Sequence, residues 1–222
     1  MSKSFPSPQA WRSTLKAAAA CGSTAALLLA TAAFSVCAAA SAPPASEAQA
    51  VPQALCDLLI RVMKQGPTLG FAGRVKILEP ALSREFDLPL TTRLVVGPPW
   101  RNLSADQQQA LVAAFSDYST AVYASRFKEY SGERFVVDPA TDKLATGDVI
   151  VHTKLLPQSG DPVQLDYLLR AETAGWRIID VLLNGTISEM AERRSEFSSA
   201  LRDGGAPALI NLLRQKTAQL AG

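Results

Sequence analysis

Two aspartates are the residues best suited to acid–base chemistry. Asp166 and Asp180 fall on adjacent predicted strands, where they can converge on one face. Paired carboxylates whose burial separates their pKa values can act as acid and base, and Tyr167 stands beside Asp166 to assist on a hydrophobic substrate. The competing assignment is ordinary charge pairing, Asp166 with Arg170 or Lys154 and Asp180 with Arg177 or a helix-borne arginine. His152 is the only histidine of 222 residues and lies mid-strand, between Val151 and Thr153. With one imidazole and three cysteines the chain has no zinc set of the Cys/His type. Cys56 sits beside Leu55 and Leu59 on an apolar helical face, the setting of a buried, inert thiol. Glu192, Arg193, Arg194 and Glu196 read as the solvated face of a helix. No Gly-x-Ser-x-Gly elbow, Walker loop, His-Glu-x-x-His run or Gly-x-Gly-x-x-Gly fingerprint occurs. An enzyme reading therefore rests on the aspartates alone.

The elements that would position these residues follow from hydrophobic period. Leu55, Leu58, Leu59, Val62 and Met63 recur at helical spacing up to Gly66-Pro67, and Phe71, Val75, Leu78, Leu82 and Phe86 mark a second amphipathic helix. A short third helix spans Pro89 to Val96 and stops at Gly97-Pro98-Pro99. Ser104 to Gln107 is a capping box opening a long helix with Leu111, Phe115, Tyr118 and Val122 on one face, to about Phe127. The period then changes to two. Strands are expected at Glu133–Val137, Val149–Leu156, Val163–Arg170 and Trp176–Leu183, and short connections make neighbours antiparallel. Asp138 to Gly147 reads as turn. Thr186 to Glu189 is a second capping box; its helix closes at Gly204-Gly205, and Pro207 starts a last one with Leu209, Leu212, Leu213 and Leu220. Helices, a strand meander and helices again make an α+β chain, a twisted antiparallel sheet of about four strands wrapped by amphipathic helices.

The N-terminus is of a different kind. Lys3, Arg12 and Lys16 precede an uncharged apolar run from Ala17 to Val36 and the small-residue exit Cys37 to Ala42. This is the pattern of a cleavable secretory signal, residues 1–40, with an uncleaved membrane anchor as the alternative. Residues 41–51 read as a flexible lead-in and 52–222 as one domain. The whole chain has a net charge of +2, 48% hydrophobic and 19% charged residues, which excludes a strongly basic nucleic-acid binder and an acidic disordered chain. Three of the 22 basic residues and none of the 20 acidic ones lie in the signal, leaving 19 against 20 and a net charge of −1. Cys56 is then the sole cysteine, so stability must come from core packing.

A series of segments carries a family resemblance: Tyr130-Ser131-Gly132-Glu133-Arg134-Phe135, Leu165-Asp166-Tyr167-Leu168-Leu169-Arg170, and Gly175-Trp176-Arg177-Ile178-Ile179-Asp180-Val181. It continues through Leu183-Asn184-Gly185-Thr186-Ile187-Ser188-Glu189 and Arg193-Arg194-Ser195-Glu196-Phe197, with Phe86-Asp87-Leu88 upstream. From about Leu55 to Leu220 the chain resembles the periplasmic phospholipid carriers typified by MlaC, the toluene-tolerance auxiliary family. Gly185-Thr186-Ile187-Ser188-Glu189 is similar to the hopanoid-associated branch, HpnM. Asn184 and His152 depart from that branch, which would have an acidic residue and an arginine there.

The resemblance implies an NTF2-like core with helical additions and a deep apolar cavity between sheet and helices. It implies phospholipid or hopanoid as ligand, no metal or redox cofactor, no nucleic acid, and a monomer. Partners would be an inner-membrane lipid transporter and an outer-membrane complex. The cavity lining inferred from phase is Phe71, Val75, Leu78, Leu82 and Phe86, then Phe115, Tyr118 and Val122, and from the sheet Val151, Leu165, Tyr167, Leu169, Trp176 and Ile178. Three readings stand: a lipid carrier, an acid–base enzyme on a cone-shaped scaffold, and a ligand-free adaptor of an envelope transport complex.

Overall fold

The computed structural model describes residues 43–222; the expected signal segment lies outside the described residues. The stretch read as a lead-in carries a 3-10 turn, Ala45–Glu47, and the start of α1 (Ala50–Glu85). It is anchored there. Ala48 is fully buried, and the Trp176 indole donates to the Pro44 carbonyl at 3.0 Å. Both contacts come from residues distant in sequence, which the local proline-rich composition could not reveal.

α1 is bent into two arms at Gly70, whose φ of 62° lies in the left-handed region that glycine adopts without strain. The expected stop at Gly66-Pro67 is therefore four residues early, and the first arm runs on through Pro67. Gly66 has another task. A Cβ there would stand 1.8 Å from the Lys128 carbonyl oxygen, so only glycine admits this approach. Buried Arg74 closes the joint, donating from Nε to the Ala124 carbonyl at 2.7 Å and from Nη1 to the Gly66 carbonyl at 3.1 Å. One guanidinium thus caps the C-terminal ends of two helical segments.

α2 (Leu88–Val96) begins at Asp87, whose Oδ1 accepts from the Leu90 N–H. α3 (Ala105–Arg126) opens on the anticipated capping box, with Gln107 N–H donating to Ser104 Oγ and Ser104 N–H donating to Gln107 Oε1. The sheet has five strands in the order β1-β2-β3-β4-β5, all antiparallel: β1 (Arg134–Lys143), β2 (Val149–Leu156), β3 (Val163–Glu172), β4 (Gly175–Leu183) and β5 (Ile187–Ser188). β1 continues through the segment expected as turn, its register shifting between Val137 and Thr141, where Pro139 has no N–H to give. α4 (Glu189–Ala221) is capped by Ser188, not Thr186, because Ile187 and Ser188 pair with β4 first. It bends at Gly205 and resumes with Pro207, as the sequence indicates.

Two hydrophobic cores result. One joins α1 to the inner face of the sheet, around Leu55, Leu59, Leu78, Leu82, Val151, Tyr167, Leu169 and Ile178. The other lies among α2, α3 and α4, around Val95, Leu111, Phe115, Tyr118, Phe197, Leu209 and Leu213. The boundary between them sets the site.

Candidate functional site

β4 decides which residues reach that boundary. Leu169 faces Ile178 and Leu168 faces Asp180, so Ile179 is an extra residue on this strand. Such a bulge reverses the alternation. Trp176 and Ile178 face α1 before it; Val181 and Leu183 share the face of Tyr167 and Leu165 after it. The joint between α1 and α2 docks at the same point, with Asp87 N–H donating to the Ile178 carbonyl at 2.9 Å. Arg177 donates to the carbonyls of Ser83 and Phe86, holding the end of α1 there.

Between the cores is a cavity of about 40 Å³. Leu82, Phe86 and Val181 contribute from the sheet–α1 core, Phe115, Tyr118, Val122 and Met190 from the helical one, and Tyr123 and Ile179 complete the apolar wall. A second hollow of about 30 Å³ lies beside it, lined by Leu165, Tyr167 and Phe127, and shares Tyr123, Val181 and Glu189 with the first. Tyr123 is the partition, held edge-on to Phe86 with ring centres 5.8 Å apart and stacked on Phe127 at 5.7 Å. Burial raises its phenol pKa well above the ordinary value, so it remains neutral.

Charges collect where the cavity meets solvent. Arg126 on α3 donates to Glu189 on α4 at 2.7 Å. Arg193 lies 5.1 Å from the Tyr118 ring centre and bonds Glu196 at 2.9 Å, and Lys216 reaches the other Glu196 oxygen at 2.6 Å. Against the burial that raises it, hydrogen bonds from Lys216 and Arg193 hold the Glu196 carboxyl below its usual value. On the expected solvated face of α4, Glu192, Arg194 and Glu196 are exposed as anticipated, and Arg193 alone is half-buried, over the Tyr118 ring. Arg126, Arg193, Glu196 and Lys216 surround a vestibule of about 320 Å³ that shares Tyr118, Val122 and Arg193 with the cavity, whereas Glu189 lines the cavity itself.

Of the residues inferred from phase, Leu82, Phe86, Phe115, Tyr118 and Val122 line the cavity, and Leu165 and Tyr167 line its neighbour. Leu78, Val151, Leu169, Trp176 and Ile178 are packed in the sheet–α1 core, and Phe71 and Val75 lie at its margin. Tyr123, Ile179, Val181, Met190 and Arg193 were not among the expected residues. Tyr123 widens the α3 stripe next to Val122, and the doublet Ile178-Ile179 is the one sequence trace of the bulge.

Register sets Asp166 and Asp180 on one face of β3 and β4, as expected, and Asp180 lines the cavity, but the two carboxylates take separate partners. Asp166 and Tyr167 are successive strand residues on opposite faces. Asp166 accepts from Thr153 N–H and Gln164 and pairs with His152 on the outer face, while the buried Tyr167 hydroxyl hydrogen-bonds Cys56. Asp180 accepts from the Ser188 hydroxyl and the Val181 and Met190 N–H groups. Burial raises its pKa, and its task is to fix the N-terminus of α4. Arg170 takes neither aspartate; it forms a bidentate pair with Asp148, both bonds at 2.8 Å.

Fold and hollow together define an α+β protein organised around an internal apolar site. Its fold is similar to that of a phospholipid-binding protein from Ralstonia solanacearum, solved in complex with a phospholipid: TM-score 0.69 at 23% identity, over 79% of this chain and 99% of that one. The family described as MlaC protein matches residues 53–215, and the chain belongs to it.

Proposed function

We propose that this protein is a lipid carrier of the periplasm, taking phospholipid or hopanoid into the seam between its two cores. It would ferry the lipid between inner- and outer-membrane components. The reading rests on one observation above all: the cavity wall is mainly apolar and contributed by both cores, with Asp180, Glu189 and Arg193 as its charged members, so separating the cores enlarges a mainly apolar sleeve. Family membership and the phospholipid held by the R. solanacearum protein support it. A tail of ~16 carbons at ~0.8 kcal/mol per methylene costs on the order of 10 kcal/mol to hold in water, which is the work such a sleeve does. A monomer suffices for it, and the N-terminal segment would supply export.

At about 40 Å³ the cavity is too small for a lipid tail, so a tail enters only if α2, α3 and the first arm of α4 move off the sheet. That small volume also favours the ligand-free adaptor as a second reading. Organic extraction of purified protein followed by mass spectrometry separates the two. A carrier yields co-purified lipid, or takes up labelled lipid from vesicles; protein that is empty and inert toward vesicles is an adaptor.

A further inference from the structure

One corner of the helical layer combines unpaired cations, exposed apolar side chains and a stretch without acids. Between Asp87 and Asp106 the chain has no Asp or Glu, yet it holds Arg93, Arg101, Leu94 and Trp100. Arg93 and Leu94 are exposed on α2, Leu94 to 41%. Gly97 ends that helix, and the 3-10 turn Pro98–Asn102 follows with Pro98, Pro99 and Arg101 exposed. Trp100 is half-buried, one side packed against the helical core. Arg194 reaches the same turn from α4: a Cβ on Gly97 would stand 2.6 Å from its Nη2. Among the described residues Arg93, Arg101 and Arg194 have no ion pair, whereas Arg126, Arg170, Arg177 and Arg193 each engage a carboxylate.

We propose that this corner docks the protein on an anionic bilayer surface. Guanidiniums with no carboxylate to release are drawn to a sheet of negative head groups, and Leu, Pro and Trp side chains between them suit the boundary of head group and acyl chain. The net charge beyond the N-terminal segment is −1, so the molecule as a whole is not attracted to such a surface and the attraction must be local. Mobile head groups also fit a patch in which cations and apolar side chains are interleaved. α2 turns Leu88 and Thr91 to the cavity and Arg93 and Leu94 to solvent. Docking therefore sets the cavity about 10 Å from the bilayer, the thickness of one helix. It does not depend on what the cavity holds, and so goes beyond the carrier reading.

The test is sedimentation with vesicles of phosphatidylcholine, alone or mixed with phosphatidylglycerol. It uses the chain from Pro43, which holds both hydrophobic cores entire, because the basic and apolar segment before it would bind vesicles by itself. Wild type is expected on the mixed vesicles, to bind neutral ones about hundredfold more weakly, and to be released by high salt. Arg93→Gln, Arg101→Gln and Arg194→Gln each weaken binding about fivefold, the worth of one cation at such a surface. Leu94→Asp, which sets a carboxylate in the patch, weakens it at least as much. Arg61→Gln and Arg214→Gln, at exposed positions on α1 and the second arm of α4, change the net charge equally and leave binding as it was. Thermal unfolding confirms that each variant is folded. Wild type indifferent to mixed vesicles, equal binding to both vesicle types, or equal losses in the Arg61 and Arg214 variants overturns the proposal; indifference would assign the corner to an acidic protein surface instead. Docking without uptake of labelled lipid supports the proposal and removes the carrier reading, and uptake without docking does the reverse.

Discussion

His152 stands on the outer face of the sheet with Nδ1 3.0 Å from Asp166 and Nε2 3.0 Å from Asp142. Both neighbours are acceptors, so only the doubly protonated imidazolium can donate to both. Against burial, which lowers it, the hydrogen bonds to Asp166 and Asp142 raise the histidine pKa above its ordinary value. A raised folded-state pKa contributes stability that is complete below the unfolded value near 6.5 and is lost as pH climbs through the folded value. The melting temperature should therefore decline as pH rises from about 6 into the range above 6.5, and His152→Asn should flatten that decline. An identical slope in the variant would remove His152 as its source. The opposite sign holds for Asp148, whose carboxyl the Arg170 guanidinium holds below its usual value. Its contribution is present above the unfolded value and fades as pH falls through the lower folded one.

Helix joints govern the next scale. Gly66→Ala drives a methyl into the Lys128 backbone, which has no flexible end to yield, and should cost about 1–3 kcal/mol in denaturant unfolding. Phe197 is fully buried in the helical core and packs edge-on to Tyr118, ring centres 5.9 Å apart. Phe197→Ala should cost about 3–5 kcal/mol, and it removes support from the cavity wall as well. These elements were largely readable beforehand. The 3.6-residue stripes, the Ser104 box and the Gly205-Pro207 bend each declare themselves within a few neighbouring residues. What stayed hidden depends on distant partners: α1 crosses Pro67 because its bend is made at Gly70, and the α4 cap moves to Ser188 because β4 claims Ile187. The site was half legible for the same reason. Phase located Phe115, Tyr118 and Val122, but an inserted residue in β4 brought Ile179 and Val181 to the cavity, and period-two reading assumes there is none.

At the scale of the molecule, two cores with a seam between them make two cooperative units a reasonable expectation. Amide hydrogen exchange should then show distinct protection for α2, α3 and α4 and for β2 and β3. Adding phosphatidylglycerol vesicles should change the first group and leave the second steady. A uniform change through all the strands would mean that the sheet itself opens.

Cys56 bears on this. Its thiol is completely buried in the sheet–α1 core, hydrogen-bonded with Tyr167, and burial pushes its pKa up to about 12. At neutral pH it is neither reachable nor nucleophilic. The protein therefore carries its own clock for one kind of motion. A thiol reagent modifies Cys56 only in the moments when α1 lifts from the strands, and the seam to the helical layer can part many times without starting that clock.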